Sequence, residues 1–460
     1  MNKQKLIQKR STYSRTIQNE NMKQFLLILL IVIISTANLL AQEITLKEKA
    51  LTEFKNEHYN EAINLLEKAL EKTKDDAEIY YYLGFFNHYR AYDSRPLNGY
   101  DFSYSERIFQ YLNKAIELNP NYGNAKYFYG AECSGNAFLS MQNNDIEKLK
   151  YYYKLAYDKG AYPDWLIEFG KNILNSCDVN AILFTGGNAD FDICSYLQLQ
   201  RNFRTDITVI PIGNIDRPWY VKFLKQGLED GVKKINLNLT DNQIYDIHPF
   251  KWDTTKIKIP VSTLKLNEYN LEDSYEMLWT VEPDLTSNRK HSKIEGEKVK
   301  NRTYLSPQRA ILLQIVEDNF QSRPIYFSNM SNPVFFGGLD NYFKNCGLVS
   351  ELTPIKTEQT EFENDYKKIE KLLSNENFKQ FSTIKKIDIP RISGIVFTYH
   401  RTILTLANYY NSNEQKDNLI KLKEFYLKYL GIGFNEKYEK FYQTEIEKIE
   451  IKAGNNVYKK

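Results

Sequence analysis

The sequence predicts three successive architectures: an α-helical repeat array, then a mostly parallel α/β sheet domain, then a helical region. Three observations lead there. From Leu46 to Trp165 apolar residues recur at helical spacing, with small residues at regular places among them. After about residue 176 this pattern gives way to short continuous runs rich in Ile and Val, which suit strands covered on both faces. Helical spacing then returns after residue 358. The expected segments are a leader at 1–41, the repeat array at 42–176, the α/β domain at 177–358 and the helical region at 359–460. With 460 residues, 42% of them hydrophobic and 26% charged, the chain can fill more than one core.

In the leader, Lys23 precedes an uncharged run from Gln24 to Ala41 that is densely apolar from Phe25 to Ile34. Leu39 and Ala41 stand where a signal peptidase inspects its substrate, so cleavage before Gln42 is expected. The alternative is an uncleaved anchor associating residues 24–41 with an inner membrane, since roughly 18 residues approach the lower limit for crossing a hydrocarbon core. The 21 residues before Met22, mainly polar and basic, suggest Met22 as the natural start. Either route exports the rest, as a periplasmic or membrane-anchored protein facing the periplasm. No Cys marks a lipoprotein site. The leader holds six of the basic side chains and one acidic, so the formal charge of +3 becomes 55 basic against 57 acidic residues beyond it. No basic field remains to attract nucleic acid.

Residues 46–71, LKEKALTEFKNEHYNEAINLLEKALE, read as two helices broken at Asn56 to His58. They resemble the tetratricopeptide repeat, with Tyr59, Ala62, Leu66 and Ala69 on the second helix. AEIYYYLGFFNHYR (77–90) begins another repeat, with Leu83 and Gly84 at the close-contact turn. SRPLNGYDFS then intrudes before SERIFQYLNKAIELNPNY completes that repeat. A third unit follows, with Tyr129 and Gly130 where Leu83 and Gly84 stood, and Tyr162, Pro163 and Trp165 open a capping helix. Such arrays present a concave surface to proteins or peptides, here to envelope partners. Tyr80, Tyr81 and Tyr127, with Tyr82 and Tyr129, are its candidate wall residues; the other reading packs them between helices.

In the centre, AILFTG (181–186) and DITVIPIG (206–213) read as strands flanking a helix. PWYVKFLKQGLEDG (218–231) reads as a helix opened by Pro218 and closed by Gly231. The pieces of 256–267 read as short strands, 283–303 as an exposed loop, 304–320 as a helix starting near Ser306 and Pro307, and RPIYFSN (323–329) as a third central strand. Arg323, ahead of Pro324, is expected to anchor the entry of that strand by a salt bridge. Helices are expected over 361–375, 394–410 and 418–431, with a helical, charged tail.

The candidate ligand residues are Asn188, Asp190, Asp192, Asp216 and Arg217. They follow the carboxyl ends of the first two strands, where open α/β sheets bind ligands. Gly186 and Gly187 would permit an unusual backbone there. The spacing matches neither a dinucleotide fingerprint nor a phosphate loop, and the carboxylates would repel phosphate. A cation or polar sugar is one reading; the other has Asp190 capping the following helix. No catalytic residue, metal site or cofactor is indicated. The five histidines are scattered, no Gly-x-Ser-x-Gly elbow occurs, and Cys133, Cys177, Cys194 and Cys346 lack metal spacing. Whether these cysteines pair or remain free thiols stays open.

Several separated motifs carry a resemblance over roughly 175–355. Phe184, Thr185, Gly187 and Asp190 are followed by Tyr196, Leu197 and Gln198, by Arg204, Thr205 and Asp206, by Trp219 and Tyr220, and by Arg323 to Phe327. This block resembles the soluble C-terminal region of Bacteroidota glycosyltransferase-like (protein O-mannosyltransferase-like) membrane proteins of unknown function. The loop departs from that pattern: Gly186, Asn188 and Ala189 replace Asn, Asp and Asn, which removes one carboxylate. The membrane-spanning half, where transferase chemistry would be expected, is absent. The leading expectation is therefore a non-enzymatic envelope scaffold. The alternatives are a carbohydrate-active or hydrolytic domain using the Asp190 loop and a sugar-binding module without turnover.

Overall fold

The computed structural model describes residues 45–93, 99–228, 232–284, 304–357, 363–381 and 392–430. The leader, most of the expected 283–303 loop, Gly231 and the charged tail lie outside them. The chain separates into two compact units that divide between Phe128 and Tyr129.

The first unit contains α1 (45–55), α2 (Tyr59–Leu70), α3 (Ala77–Asp93), α4 (Ser105–Leu118) and the first turns of α5 (Gly123–Gln142). Its core joins Ala50 of α1 to Ala62, Ile63, Leu66 and Ala69 of α2 and to Ile79, Leu83 and Phe86 of α3. Small residues bring the helix backbones close, as the repeat pattern requires. Gly84 is the tightest instance, because a Cβ there would lie 2.6 Å from Leu112 Cγ on α4. Gly84→Ala is accordingly expected to cost about 1–3 kcal/mol by overpacking. A denaturant melt in which G84A matches the parent would show that this crossing has slack.

In the second unit α5 continues and is followed by α6 (Ile146–Asp158), whose first turn is capped by the Asp145 carboxylate, and α7 (Asp164–Asn175). There Gly130 repeats the close approach, with a Cβ position 2.7 Å from Ala161 Cβ. Then come β1 (Ile182–Thr185), α8 (Asn188–Arg201), β2 (Thr208–Pro211), α9 (Pro218–Gln226) and α10 (Asp241–Tyr245). Next are β3 (Phe250–Lys251), β4 (Thr255–Pro260), α11 (Thr263–Glu268), β5 (Glu276–Val281), β6 (Tyr304–Leu305), α12 (Pro307–Asn319) and β7 (Ile325–Ser328). The series ends with β8 (Phe343–Asn345), β9 (Val349–Leu352), α13 (Tyr366–Leu372), α14 (Ile392–Ser412) and α15 (Lys416–Tyr429).

The main sheet has the order β2-β1-β7-β9-β8. It corrects the expectation of a mostly parallel sheet. β1 pairs in parallel with β2 and with β7, but β9 runs antiparallel to both β7 and β8, so the sheet is mixed. The reason is local. The helices α8 and α12 precede the parallel strands β2 and β7, whereas β7 connects to β8 and β9 through 3-10 turns without a crossover helix.

Two further expectations shift. Of residues 256–267 only the first half is a strand, β4, which pairs antiparallel with β5 across a connection that contains α11. Ser262 caps the second half as α11. α9 ends at Gln226, short of the expected stop at Gly231, because Gly227 takes φ 71°. All four cysteines are buried free thiols.

Candidate functional site

Asp190 occupies the third position of α8 and is 1% exposed. Its Oδ2 accepts the Gly186 N–H at 2.9 Å and its Oδ1 the Gly187 N–H at 3.0 Å, so the carboxylate closes the turn that leaves β1. Burial pushes its pKa up, against the Ser328 hydroxyl and these backbone donors, which favour the charged form. Gly187 has φ 147°, and a Cβ on Gly186 would sit 2.7 Å from the Met330 carbonyl oxygen. Both glycines are thus dictated by backbone geometry and close approach.

Asp192 goes elsewhere. Residues two apart on a helix face different sides, and Asp192 accepts a hydrogen bond from Ser134 Oγ of α5 at 2.6 Å while 3% exposed. Asn188 opens α8, and its side chain is outside the described residues. Asp216, in the loop after β2, accepts from Gln308 Nε2 of α12 at 2.6 Å. Arg217 is the exposed residue before α9. Asp190 and Asp216 do lie at the carboxyl ends of adjacent parallel strands, but Asp190 is bonded to the turn after β1 and Asp216 to α12.

A second constellation leaves little trace in the sequence. On the face of the sheet shared by Tyr326, Glu351 and Lys344, which are cross-strand partners, Glu351 is 2% exposed and receives three lysines. Lys265 of α11 bonds its Oε1; Lys368 of α13 and Lys344 lie 3.7 and 4.0 Å from Oε2. Lys368 also donates to the Tyr326 hydroxyl at 2.7 Å and to Asp178 at 3.0 Å. Burial works to lower the pKa values of Lys344 and Lys368, but it is outweighed and both are raised, Lys344 by Glu351, Glu268 and Asp365 and Lys368 by Cys346, Glu351 and Asp178. Burial similarly acts to raise Asp178, yet the Tyr326 hydroxyl and Lys368 hold it below the usual carboxylate range. The one signal is a Glu inside the apolar run LVSEL. Three lysines against Glu351, Glu268, Asp365 and Asp178 leave no surplus positive charge, so the cluster is an internal ion network.

Beside it opens a cavity of about 470 Å³, lined by Asn172, Asp178, Arg204, Lys368 and Lys371 among others. Its main cation is spent: Arg204 donates to Asp206 and to the carbonyls of Leu174, Cys177 and Asp178.

In the first unit, Tyr81 is 6% exposed and packs on Tyr82, Phe85, Tyr122 and Phe128, so it belongs to the core. Tyr80 and Tyr127 are half-buried. The accessible aromatics lie farther along α3, where Tyr89 is 40% and Tyr92 53% exposed. Tyr92 meets Tyr100 edge-on at 4.9 Å, His88 meets both, and Phe102 extends the patch. Helical spacing could have found Tyr89 and Tyr92, which fall one turn and two turns beyond Phe85.

Among the described residues no group of His, Cys, Asp and Glu is arranged to hold a metal ion, and no helix is long and apolar enough to cross a membrane.

Two families of known proteins match parts of the chain. Residues 50–88 match the family described as TPR repeat, and residues 166–300 and 259–372 match the family described as TMEM260-associated domain 2. The chain thus carries a TPR repeat, a module that generally mediates protein–protein interaction, and a TMEM260-associated domain. No curated protein matches it.

Proposed function

We propose that this chain is a non-enzymatic scaffold of the cell envelope whose repeat array receives a protein or peptide partner on the aromatic face of α3. The observation that carries this reading is the contiguous patch of Tyr89, Tyr92, His88, Tyr100 and Phe102, with two large aromatics 40% and 53% exposed. Tyrosine contributes a large rigid contact at low entropic cost and concentrates at interface hot spots. The apolar leader supports export, to the periplasm or to an inner-membrane anchor through residues 24–41. The resemblance to Bacteroidota glycosyltransferase-like proteins supports an envelope setting for the central domain. Catalysis by the Asp190 loop has less support, because both carboxylate oxygens already bind the backbone of the turn.

The test is a photo-crosslinking residue placed at Tyr92 in living cells, with Tyr151, 56% exposed on α6, as the control position. A discrete crosslinked partner is expected from position 92, absent from position 151, and lost when Tyr89→Ser is added. Tyr100 and Phe102 remain in that variant, so the loss reports on α3 itself. Equal crosslinking at 92 and 151 would remove this face from the proposal.

A further inference from the structure

The geometry points to a carboxylate-binding site built around Arg309, at the start of α12. Arg309 is 6% exposed, and its Nη1 donates to Asp284 Oδ1 at 2.8 Å. Its Nε and Nη2 are buried without an acceptor among the described residues. These two atoms form one edge of the guanidinium, whose parallel N–H bonds match the two oxygens of a carboxylate. A buried donor left unpaired costs roughly 1–3 kcal/mol. Two on one edge therefore make it a place where a two-oxygen acceptor would be held.

The location supports the same assignment. β2, β1 and β7 run parallel, and open α/β sheets take ligands at the carboxyl ends of such strands. Gln308, next to Arg309, bonds Asp216 in the segment leaving β2. Gly337, in the segment leaving β7, lies against the guanidinium; a Cβ there would be 2.6 Å from Nε. In that same segment Ser331 Oγ is also buried without a partner among the described residues.

Charge selects the ligand class. Asp284 already balances Arg309, and Asp216 is held by the neighbouring Gln308, so a singly charged carboxylate suits the edge better than a phosphate dianion. Gly337 and Gly338, at φ 58° and 88°, form the turn over the edge, and Trp279 Nε1 holds the Gly337 carbonyl at 2.8 Å. Entry of the carboxylate requires this turn to lift, a change of backbone angles that glycine tolerates.

The experiment uses the full chain labelled with ¹⁵N-arginine and follows the Arg309 Nε–H resonance during titration with sodium acetate, with sodium chloride and inorganic phosphate at matched ionic strength. A saturable shift confined to this resonance is expected with acetate alone. Arg309→Lys keeps a cation near Asp284 but has no second donor edge, and it is expected to lose the accompanying rise in melting temperature; R217A, altering an exposed cation, retains it. Absence of a saturable shift, an equal response to chloride, a stronger one to phosphate, or an undiminished melting response in R309K would each overturn the assignment. Should R309K not fold, the titration of the parent decides.

Discussion

Glu351→Gln is expected to destabilise the sheet-bearing unit by about 3–5 kcal/mol, the cost of leaving a buried charge without its partner. Glu351 is 2% exposed, and Lys265, its closest cation, is only 9% exposed at the side chain. Lys344 and Lys368 share the same carboxylate, so one substitution leaves three ammonium groups with only the more exposed Glu268, Asp365 and Asp178 to balance them. Denaturant unfolding of E351Q against the parent measures the loss. The pH dependence separates this cause from simple repacking. Lys344 and Lys368 have raised pKa values, so their contribution is fully present below the ordinary lysine value of 10.5 and is lost as pH rises through the raised ones. Asp178, with its lowered pKa, contributes above 3.8 and loses that contribution as pH falls through the folded value. The deficit of E351Q should therefore shrink at alkaline pH, where the lysines discharge. A deficit unchanged by pH would point to packing.

Arg323→Met is expected to cost roughly 3 kcal/mol or more, since each hydrogen bond from a charged donor contributes on the order of 1.5–3 kcal/mol. Arg323 is 7% exposed, and in place of the salt bridge expected of it the guanidinium is bonded to neutral oxygens. Nε donates to the Asn180 carbonyl, Nη1 to that of Lys234, and Nη2 to that of Ala181 and to Thr208 Oγ1, all within 3.0 Å. One guanidinium thus ties the entries of β1, β2 and β7. Burial lowers its pKa to about 10, which leaves it charged at neutral pH. Arg323→Lys should recover little, because an ammonium cannot reach four acceptors in this planar arrangement. Amide hydrogen exchange at β1, β2 and β7 reads the effect directly; an R323K variant as protected as the parent would refute it.

Much of the fold was legible from pattern. Continuous apolar runs marked β1, β2 and β7, and Ser306 with Pro307 marked the start of α12, because burial on both faces and helix capping leave local traces in composition. β8 and β9 left none. Their sequences, FKN and VSEL, interrupt the apolar signal with residues that pair across the sheet, and a sheet turning antiparallel depends on how the chain returns. For the candidate site, Asp190 was readable as a cap candidate from its place after two glycines. Its separation from Asp192 followed only once the helix set their faces apart. Arg309 showed no signal at all, since an ordinary Arg on a helix becomes exceptional only when its donors are enclosed.

The sequence by itself marked the helical-repeat character of the first part, the three central strands and the two glycines of the β1 turn, all of which leave local traces in composition and spacing. The tertiary structure alone decided the mixed sheet, the core position of Tyr81, the gathering of Lys265, Lys344 and Lys368 on Glu351, and the enclosure of Arg309. These depend on segments far apart in sequence meeting in a desolvated interior, where the strength of a charge or hydrogen bond is set by what surrounds it rather than by its neighbours along the chain.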